Sequence, residues 1–383
     1  MNDMLIYFYF VVSHLLLYVG NIVRMPFSVY TLIIMIPYSL VAYFYDPALQ
    51  QAHYGGDGVD LYRHFETLDL MRVGMADDMY IEAPLSAAFF RIIATCFYDN
   101  HMLPLLSAWI CYALCFVFVV LVCRHLQVKK YIMKISIFVI LCMFNFFGVM
   151  ANIRYPIAVA LVAVVLYFDV IKNLKMARYL YLLPLLIHPG TGMFLIIRLL
   201  AGWRLRYSWL FLGIMSLLVV ANFENMVQQL IGVVSFSPEL QMLLLGISLK
   251  TFNYSTKEIY VVPLIFRVLS VYAIVIYSTF FALAINYKCQ IMKNIVFYRF
   301  VLIMILVTSI GIITNFMDGN FTERIIVILP FMSAVMVADI LRSMNYRSRL
   351  LKLVIKFVII TLPMSFVSIY LFKIYLNWIY LGL

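Results

Sequence analysis

Charged residues are scarce in this chain of 383 residues. Only 12% are Asp, Glu, Lys or Arg, while 66% are hydrophobic. A soluble protein of this length would carry about twice as many charges. Apolar runs of roughly 17–25 residues recur from end to end, which is the length that crosses a bilayer. The composition excludes a soluble globular protein and predicts an all-α polytopic integral membrane protein.

Several familiar signals are also missing. The first apolar run, Leu5 to Gly20, has no basic segment before it and no small-residue cleavage site after it, so we expect no cleavable signal peptide. The six cysteines show no CxxC and no His/Cys ligand spacing, so we expect small buried side chains. There is no Walker A loop, GxGxxG, DxD or HExxH. A nucleotide-driven reaction is therefore not expected.

Basic residues follow alternate spans, which sets the expected topology. By the positive-inside rule, the side that carries the Lys and Arg clusters faces the cytoplasm. The periplasmic side then holds both chain termini and two long loops, at residues 46–82 and 222–258. The chain is predicted to form about 10–12 transmembrane helices in a single domain over residues 1–383. The predicted spans lie near residues 5–20, 27–45, 103–123, 131–150, 155–171, 207–221, 260–284, 295–317, 324–341 and 352–380.

Two apolar segments break this alternation if they cross the membrane fully. Residues 83–98 are few and carry Arg91 at their centre, so we predict a helix that lies at the outer interface or dips into the membrane. Residues 179–200 are divided by two prolines, one of them directly after His188. We predict two half-helices that meet near mid-membrane, against protein or a polar cavity. One kinked span, with the count shifted by one, is the alternative.

Four arginines lie at the outer side of the predicted bundle. Arg154 and Arg324 stand at the outer ends of spans, Arg267 lies about two turns inside its span, and Arg91 sits in the short apolar segment. A planar guanidinium grips phosphate bidentately, so several converging at one face would form a site for a lipid-linked phosphate. For any single arginine the alternative is an anchor that snorkels to the headgroups. The anchor role suits Arg267 least because of its depth, and its structural alternative is a buried pair with Asp318 or Glu323. The candidate substrate-binding arginines are Arg91, Arg154, Arg267 and Arg324.

The stretch 54–62 combines three glycines with two carboxylates. Asp57 is a candidate for binding sugar hydroxyls or for acting as a base toward one. Asp60 stands directly before a helix predicted from Leu61, and the N-cap of that helix is the better explanation for it. Because the cluster has no regular ligand spacing, we expect neither a metal nor a cofactor.

Two more ionisable residues are candidates for chemistry. His188 lies in an apolar run, where an ionisable group is a functional candidate by default. The alternative is that it bonds a carbonyl group released at the helix break. Glu323 shares an outer turn with Arg324, so it either acts on a substrate or pairs with that arginine.

Together these elements resemble the EpsG/Wzy group of bacterial polysaccharide polymerases, from about Tyr54 to Pro330. One departure is Pro189-Gly190 after the histidine, where that family more often has a small polar residue. The matching elements are the loop from Gly56-Asp57 to Tyr62, Glu82-Ala83-Pro84 opening a short helix, Arg154 with Ala158 heading a span, His188 in a broken segment, and Glu323-Arg324 at the last outer turn.

The resemblance implies a glycosyltransferase of the C type in the bacterial inner membrane. It would move a growing glycan from undecaprenyl pyrophosphate onto a fresh lipid-linked repeat unit at the periplasmic face, without nucleotide sugar or metal. Asp57, His188 or Glu323 would take the acceptor proton. The arginines, with Asp60 and Tyr62, would bind pyrophosphate and sugar.

The expected partners are the undecaprenyl-pyrophosphate-linked oligosaccharide, membrane lipids and a chain-length regulator protein. Nucleic acid is not expected, despite a net charge of +11.

Two rival functions are compatible with the same membrane topology. A flippase of lipid-linked sugars also needs intramembrane arginines, but transporters often show paired broken helices in repeats, and this chain has one broken segment and no repeat. An O-antigen ligase-type enzyme is the other rival.

Overall fold

The computed structural model describes residues 12, 15–16, 18–20, 25–44, 60–75, 80, 82–144, 149, 152–203, 264–315, 324–344 and 349–380. These ranges hold helices and their connections, and no strand occurs within them. The α-helices are α1 Phe27–Phe44, α2 Asp60–Arg72, α3 Pro84–Cys96, α4 Met102–His125, α5 Lys130–Met143, α6 Arg154–Leu166, α7 Leu182–Ile187, α8 Gly192–Gly202, α9 Leu264–Asn286, α10 Ile295–Asn315, α11 Leu329–Ser343 and α12 Arg349–Tyr380. A π-helix, Tyr167–Ile171, continues α6, and 3₁₀ turns occupy Lys175–Tyr181, Pro189–Thr191 and Ile291–Lys293.

Five helical stretches in the described part of the chain are long and apolar enough to cross a membrane. The protein is therefore a multi-pass membrane protein of the all-α class. The predicted spans near 5–20 and 207–221 lie mostly or wholly outside the described residues, as does the predicted loop 222–258. The five stretches are Phe27–Phe44, Met102–His125, Arg154–Ile171, Val268–Asn286 and Arg324–Ser343.

Helices α6 and α11 form the centre of the bundle. Their spans bury 78% and 83% of the most apolar window, against 44% or less for the other three. Small residues make this possible in α6, where Ala158, Ala160 and Ala163 are fully buried. Alanines let neighbouring backbones approach closely, which is how helices associate inside lipid.

The two ends of α6 define two ends of the bundle. We call the end where α6 begins the Tyr155 end, and the end where its π-helical continuation closes the Asp169 end. At the Asp169 end, Asn294 Nδ2 donates to the carbonyl oxygen of Val170 at 2.9 Å. In the same turn between α9 and α10, a backbone amide donates to Asp339 near the end of α11. These contacts bring the ends of α6, α9 and α11 together.

Basic residues collect at the Asp169 end. The rings of His125 and Tyr167 meet there, so α4 ends and α5 begins on that side. Asp69 and Asp99 lie in α2 and before α4, at the opposite end. The prediction that the basic clusters share one side is confirmed for the part of the chain that is described. Its members there are Arg124, Lys129, Lys130, Lys172, Lys175, Arg178, Lys288, Lys293 and Arg342.

The segment between the π-helix and α8 is a helical hairpin with both ends on the same side. Its first leg carries Arg178 and its second leg carries Arg198, and both side chains reach Asp169. Its tip carries His188, whose ring packs on Tyr155. The prediction of two half-helices is confirmed, and the single kinked span is wrong.

The predicted depth of the hairpin tip is also wrong, since it lies level with the start of α6 and not with its middle. The first leg begins with a 3₁₀ turn of seven residues, which rises about 2.0 Å per residue instead of about 1.5 Å. The leg therefore extends about 23 Å, close to the length of α6 with its continuation.

Helices α2 and α3 form a layer at the Tyr155 end. Arg72, the last residue of α2, donates to the side chain of Asn100 at 2.6 Å and to the carbonyl oxygen of Phe97 at 2.9 Å. Near the other end of α3, Ser86 Oγ donates to the carbonyl oxygen of Ile187 at 2.8 Å, next to the hairpin tip. Both ends of α3 therefore lie at the Tyr155 end, as predicted for a helix at the interface.

Candidate functional site

Arg154 opens α6 with its guanidinium stacked on an aromatic ring. Its Cζ lies 4.0 Å from the centre of the Tyr80 ring. The preceding residue, Ile153, is fully buried and has a φ of 20°, which is an outlier for a β-branched residue. Backbone outliers of this kind cluster at functional sites, where the surroundings hold them in place.

Tyr155 joins three parts of the site. Its hydroxyl donates to the backbone carbonyl oxygen of Arg324, which places the start of the Arg324–Ser343 span beside the start of α6. Its ring meets the His188 ring edge to face, with centroids 4.9 Å apart. The structure therefore places the backbone of Arg324, the ring of His188 and the start of α6, with Arg154, at the same end of the bundle.

The hydrogen bond of His188 fixes which ring nitrogen carries the proton. Its Nδ1 accepts the backbone N–H of Gly190 at 3.1 Å, so the neutral ring carries its proton on Nε2. In this form Nε2 is a donor, and the ring has no second lone pair for taking a proton. The structural alternative was a bond to a carbonyl group, and the observed bond instead caps the 3₁₀ turn at the hairpin tip.

Gly190 lies close to the ring of His188. A Cβ at this position would lie 3.0 Å from His188 Nδ1 and Cε1, and 3.7 Å from the Tyr155 ring. A side chain there would press on the imidazole that accepts from the Gly190 amide, so glycine suits the close approach of the ring to its own turn.

His64 adds a buried polar contact that the sequence reasoning missed. Its Nδ1 lies 2.7 Å from the Tyr80 hydroxyl, and its ring packs edge to face on Phe90 of α3. Burial lowers the pKa of His64 well below its ordinary value, and the charges of Arg154 and Arg63 lower it further. The imidazole is therefore neutral at physiological pH.

Two predicted binding residues, Tyr62 and Arg91, are exposed to solvent. Tyr62 precedes His64 by two residues, about 200° around α2, and it is 40% exposed while His64 is 1% exposed. Arg91 is exposed on α3, beside the buried Phe90. Tyr62 therefore points away from the buried side of α2, and Arg91 lies on the outer surface of the layer.

Four other predicted site residues lie partly or wholly outside the described part of the chain. Asp57 and Glu323 lie outside the described residues, and so do the side chains of Asp60 and Arg267. Asp60 is the first residue of α2. The helix therefore begins one residue earlier than predicted, when Asp60 was expected to be the N-cap. Within the described ranges, no group of three or more His, Cys, Asp or Glu side chains is placed to hold a metal ion.

A second polar cluster lies at the Asp169 end. The Asp169 carboxylate accepts from Arg198 Nε at 2.5 Å and from a terminal nitrogen of the same guanidinium at 3.0 Å. Tyr181 Oη donates to the same carboxylate at 3.3 Å, and Arg178 Nε lies 3.5 Å from it. Asp169 and Arg198 are 2% and 7% exposed, so this is a buried, bidentate ion pair. In the sequence, this pair is indicated only by the presence of one acidic residue, Asp169, and one basic residue, Arg198, inside two apolar runs.

Comparison of the chain with protein-family models, with curated proteins and with solved structures gave no match. The case for a function is therefore built on the geometry at the Tyr155 end.

Proposed function

We propose that the protein is a glycosyltransferase that polymerises lipid-linked oligosaccharide repeat units. It would transfer the growing glycan from undecaprenyl pyrophosphate to a new lipid-linked repeat unit, as in O-antigen or related surface polysaccharide synthesis. The proposal carries with it a C-type glycosyltransferase fold with about 10–12 spans, placed in the bacterial inner membrane. Its substrate is the undecaprenyl-pyrophosphate-linked oligosaccharide, and a chain-length regulator is its candidate protein partner.

One observation supports the proposal most. Three candidate residues lie at the same end of the bundle although they are far apart in the chain: Tyr155, the neighbour of Arg154, donates to the backbone carbonyl oxygen of Arg324 and packs on the ring of His188. Two arginines and a polar imidazole at one end of the bundle suit a dianionic or trianionic headgroup next to a sugar. The layer of α2 and α3 covers the same end and offers a surface on which a lipid-linked glycan can rest.

In the proposed reaction, an acceptor hydroxyl oxygen attacks the anomeric carbon of the donor glycan. The bond from that carbon to the pyrophosphate oxygen breaks, and the pyrophosphate leaves with the electron pair. Arg154 and Arg324 stabilise the charge that develops on the leaving oxygen. The energy for the transfer comes from the bond between the glycan and the pyrophosphate, so no nucleotide is consumed.

The hydrogen bond of His188 narrows the roles of the three candidate catalytic residues. An imidazole with its proton on Nε2 donates a hydrogen bond to a phosphate or hydroxyl oxygen. We therefore assign His188 as a donor to the substrate. The acceptor proton then goes to a carboxylate, for which Asp57 and Glu323 are the candidates.

The Tyr155 end faces the periplasm in this proposal, since the Lys and Arg clusters lie at the Asp169 end. Reporter fusions at Arg72 should read periplasmic, and fusions at Lys130, Lys175 and Lys288 should read cytoplasmic. A periplasmic signal at Lys130 would reverse the bundle and place the arginines on the wrong side for the reaction.

Gel analysis of surface polysaccharide from a deletion strain tests the function itself. A polymerase deletion leaves a single repeat unit on the lipid core. No repeat unit at all would indicate a flippase, and long polymer retained on undecaprenyl lipid would indicate a ligase. Either of those two results would overturn the proposal.

A further inference from the structure

We infer that His64 and Tyr80 are positioning residues that orient Arg154 for its ligand. The three side chains form a continuous series of contacts in the order imidazole, phenol, guanidinium. Its catalytic meaning rests on the proposed function, whereas the orientation of Arg154 is a property of the fold that is measurable without any substrate.

Each neighbouring pair in this series is in direct contact. His64 lies on the buried side of α2, between Phe90 and the ring of Tyr80, with ring centroids 5.1 Å and 6.0 Å away. Its Nδ1 is 2.7 Å from the Tyr80 hydroxyl. The opposite step is the guanidinium of Arg154, 4.0 Å from the centre of the Tyr80 ring.

The direction of the central hydrogen bond strengthens the outer contact. His64 is neutral, because burial and the charges of Arg154 and Arg63 lower its pKa. A neutral imidazole nitrogen is a better acceptor than a phenol oxygen, so we assign the Tyr80 hydroxyl as the donor. A phenol that donates its proton is richer in electron density, which favours a cation on its ring face.

The backbone at Tyr80 supports a positioning role. This residue has a φ of 64°, a left-handed conformation that glycine or asparagine adopts more readily than a tyrosine. Contacts with His64, Phe90 and Arg154 stabilise the tyrosine in that conformation. The ring is held firmly enough to act as a fixed surface.

The contact fixes where the guanidinium lies, with the Cζ of Arg154 over the Tyr80 ring at 4.0 Å from its centre. The phenol ring thereby limits the positions from which Arg154 can donate, and bidentate binding of a phosphate depends on the position of the guanidinium. His64 and Tyr80 thus act through Arg154, without touching the substrate.

The test measures how fast phenylglyoxal, an arginine-directed dicarbonyl, modifies Arg154 in the full-length protein in detergent, mapped by peptide mass spectrometry. Tyr80→Leu removes the ring and should raise the rate at Arg154 about two- to fivefold. Tyr80→Phe keeps the ring and should raise it less. His64→Leu should raise it as well, while His64→Asn, whose Oδ1 replaces Nδ1 as acceptor, should stay near wild type.

Arg124, exposed at the far end of α4, is the internal reference, and its rate should be equal in all variants. Tyr98→Leu, which alters a 98% exposed tyrosine, is the matched control. An unchanged Arg154 rate in both Tyr80→Leu and His64→Leu would overturn the inference. Polysaccharide length is measured in the same strains. Faster modification with wild-type polymer would support the positioning role and remove Arg154 from the proposed pyrophosphate site.

Discussion

At the Asp169 end, Arg198 donates two hydrogen bonds to one carboxylate, whereas at the Tyr155 end Arg154 stacks on the ring of Tyr80. The first contact uses the donor edge of the guanidinium. The second places the guanidinium carbon over an aromatic face. The same type of side chain is therefore paired with a carboxylate at one end, and at the other end it lies on a ring.

The charge pair at the Asp169 end has a structural role. A bidentate pair 2% and 7% exposed fixes the legs of the hairpin to α6, because both legs bring a base to Asp169. At the hairpin tip the contacts are a ring pair and neutral hydrogen bonds. The buried ion pair thus anchors the open end of the hairpin at Asp169, and weaker contacts hold the tip against Tyr155 and α3.

The largest effect is expected from breaking the pair at the Asp169 end. Asp169→Asn leaves the Arg198 charge buried without its counter-charge, and removing one partner of a buried pair costs about 3–5 kcal/mol. The free energy of unfolding in detergent should fall by that amount. Asp169→Leu combined with Arg198→Met should recover most of the loss, because apolar groups of similar volume replace both charges.

Asp69→Asn is the matched control for this experiment. It breaks the ion pair with Arg72, in which the Asp69 side chain is 63% exposed. Exposed pairs contribute about 0–1 kcal/mol. If Asp169→Asn were no more destabilising than Asp69→Asn, the buried pair would not anchor the hairpin.

The next largest effect concerns the arginines at the Tyr155 end. Arg154→Ala and Arg324→Ala should lower polymer synthesis by about 10²–10³-fold, the loss typical of a removed charge-stabilising donor. Arg→Lys should also lower it strongly, since lysine cannot bind a phosphate bidentately. Polysaccharide gels report the effect, with immunoblots of membranes to check protein level. We expect the same order of effect at Arg267.

Headgroup anchoring predicts the opposite result for lysine. A lysine snorkels as well as an arginine does, so anchors would be fully functional as Arg→Lys variants. Arg124→Ala and Arg124→Lys at the Asp169 end provide the control, and both should leave polymer synthesis unchanged. Wild-type polymer length in every Arg→Lys strain would remove the pyrophosphate site from the proposal.

Local sequence signals predicted those features of the fold that depend on composition and on breaks in helices. Apolar runs gave the spans, and the prolines around His188 gave the broken segment. The depth of its tip was not predictable, because nothing in residues 175–181 distinguishes a 3₁₀ turn from an α-helix. The difference in rise carries the tip to the end of α6.

Some residues of the candidate site were also predictable from the sequence, and others were not. Arg154, Arg324 and His188 were identified because charged or ionisable residues are rare in apolar runs. His64 and Tyr80 were missed, since their meeting depends on how α2 packs against α3 and on a left-handed residue outside any helix. The Asp169–Arg198 pair was not predicted although both residues interrupt apolar runs, because their meeting depends on how the hairpin packs against α6.

A smaller effect is expected at His188. A substitution there tests whether this residue donates a hydrogen bond to the substrate or accepts the proton of the acceptor hydroxyl. In His188→Asn, Oδ1 can still accept the amide of Gly190, but the Nε2–H donor is lost. A hydrogen bond to a charged group contributes about 1.5–3 kcal/mol, so activity should fall about tenfold or more. The acid limb of the pH–rate profile should remain, because it reports a carboxylate. Loss of that limb in His188→Asn would instead identify His188 as the base.

The smallest effect is expected at Ser86, whose hydroxyl donates to the carbonyl oxygen of Ile187 at 2.8 Å, directly before the hairpin tip. Ser86→Ala leaves that carbonyl without this donor, and the loss of one neutral hydrogen bond costs about 0.5–1.5 kcal/mol. The free energy of unfolding should fall by this amount, well below the effect of Asp169→Asn. Thr95→Ala is the control on the same helix, since Thr95 is exposed and bonds only the carbonyl of Arg91 in its own helix, and it should be nearly neutral. A loss at Ser86 as large as that at Asp169 would mean that the tip is anchored as firmly as the open end, and the contrast between the two ends would then fail.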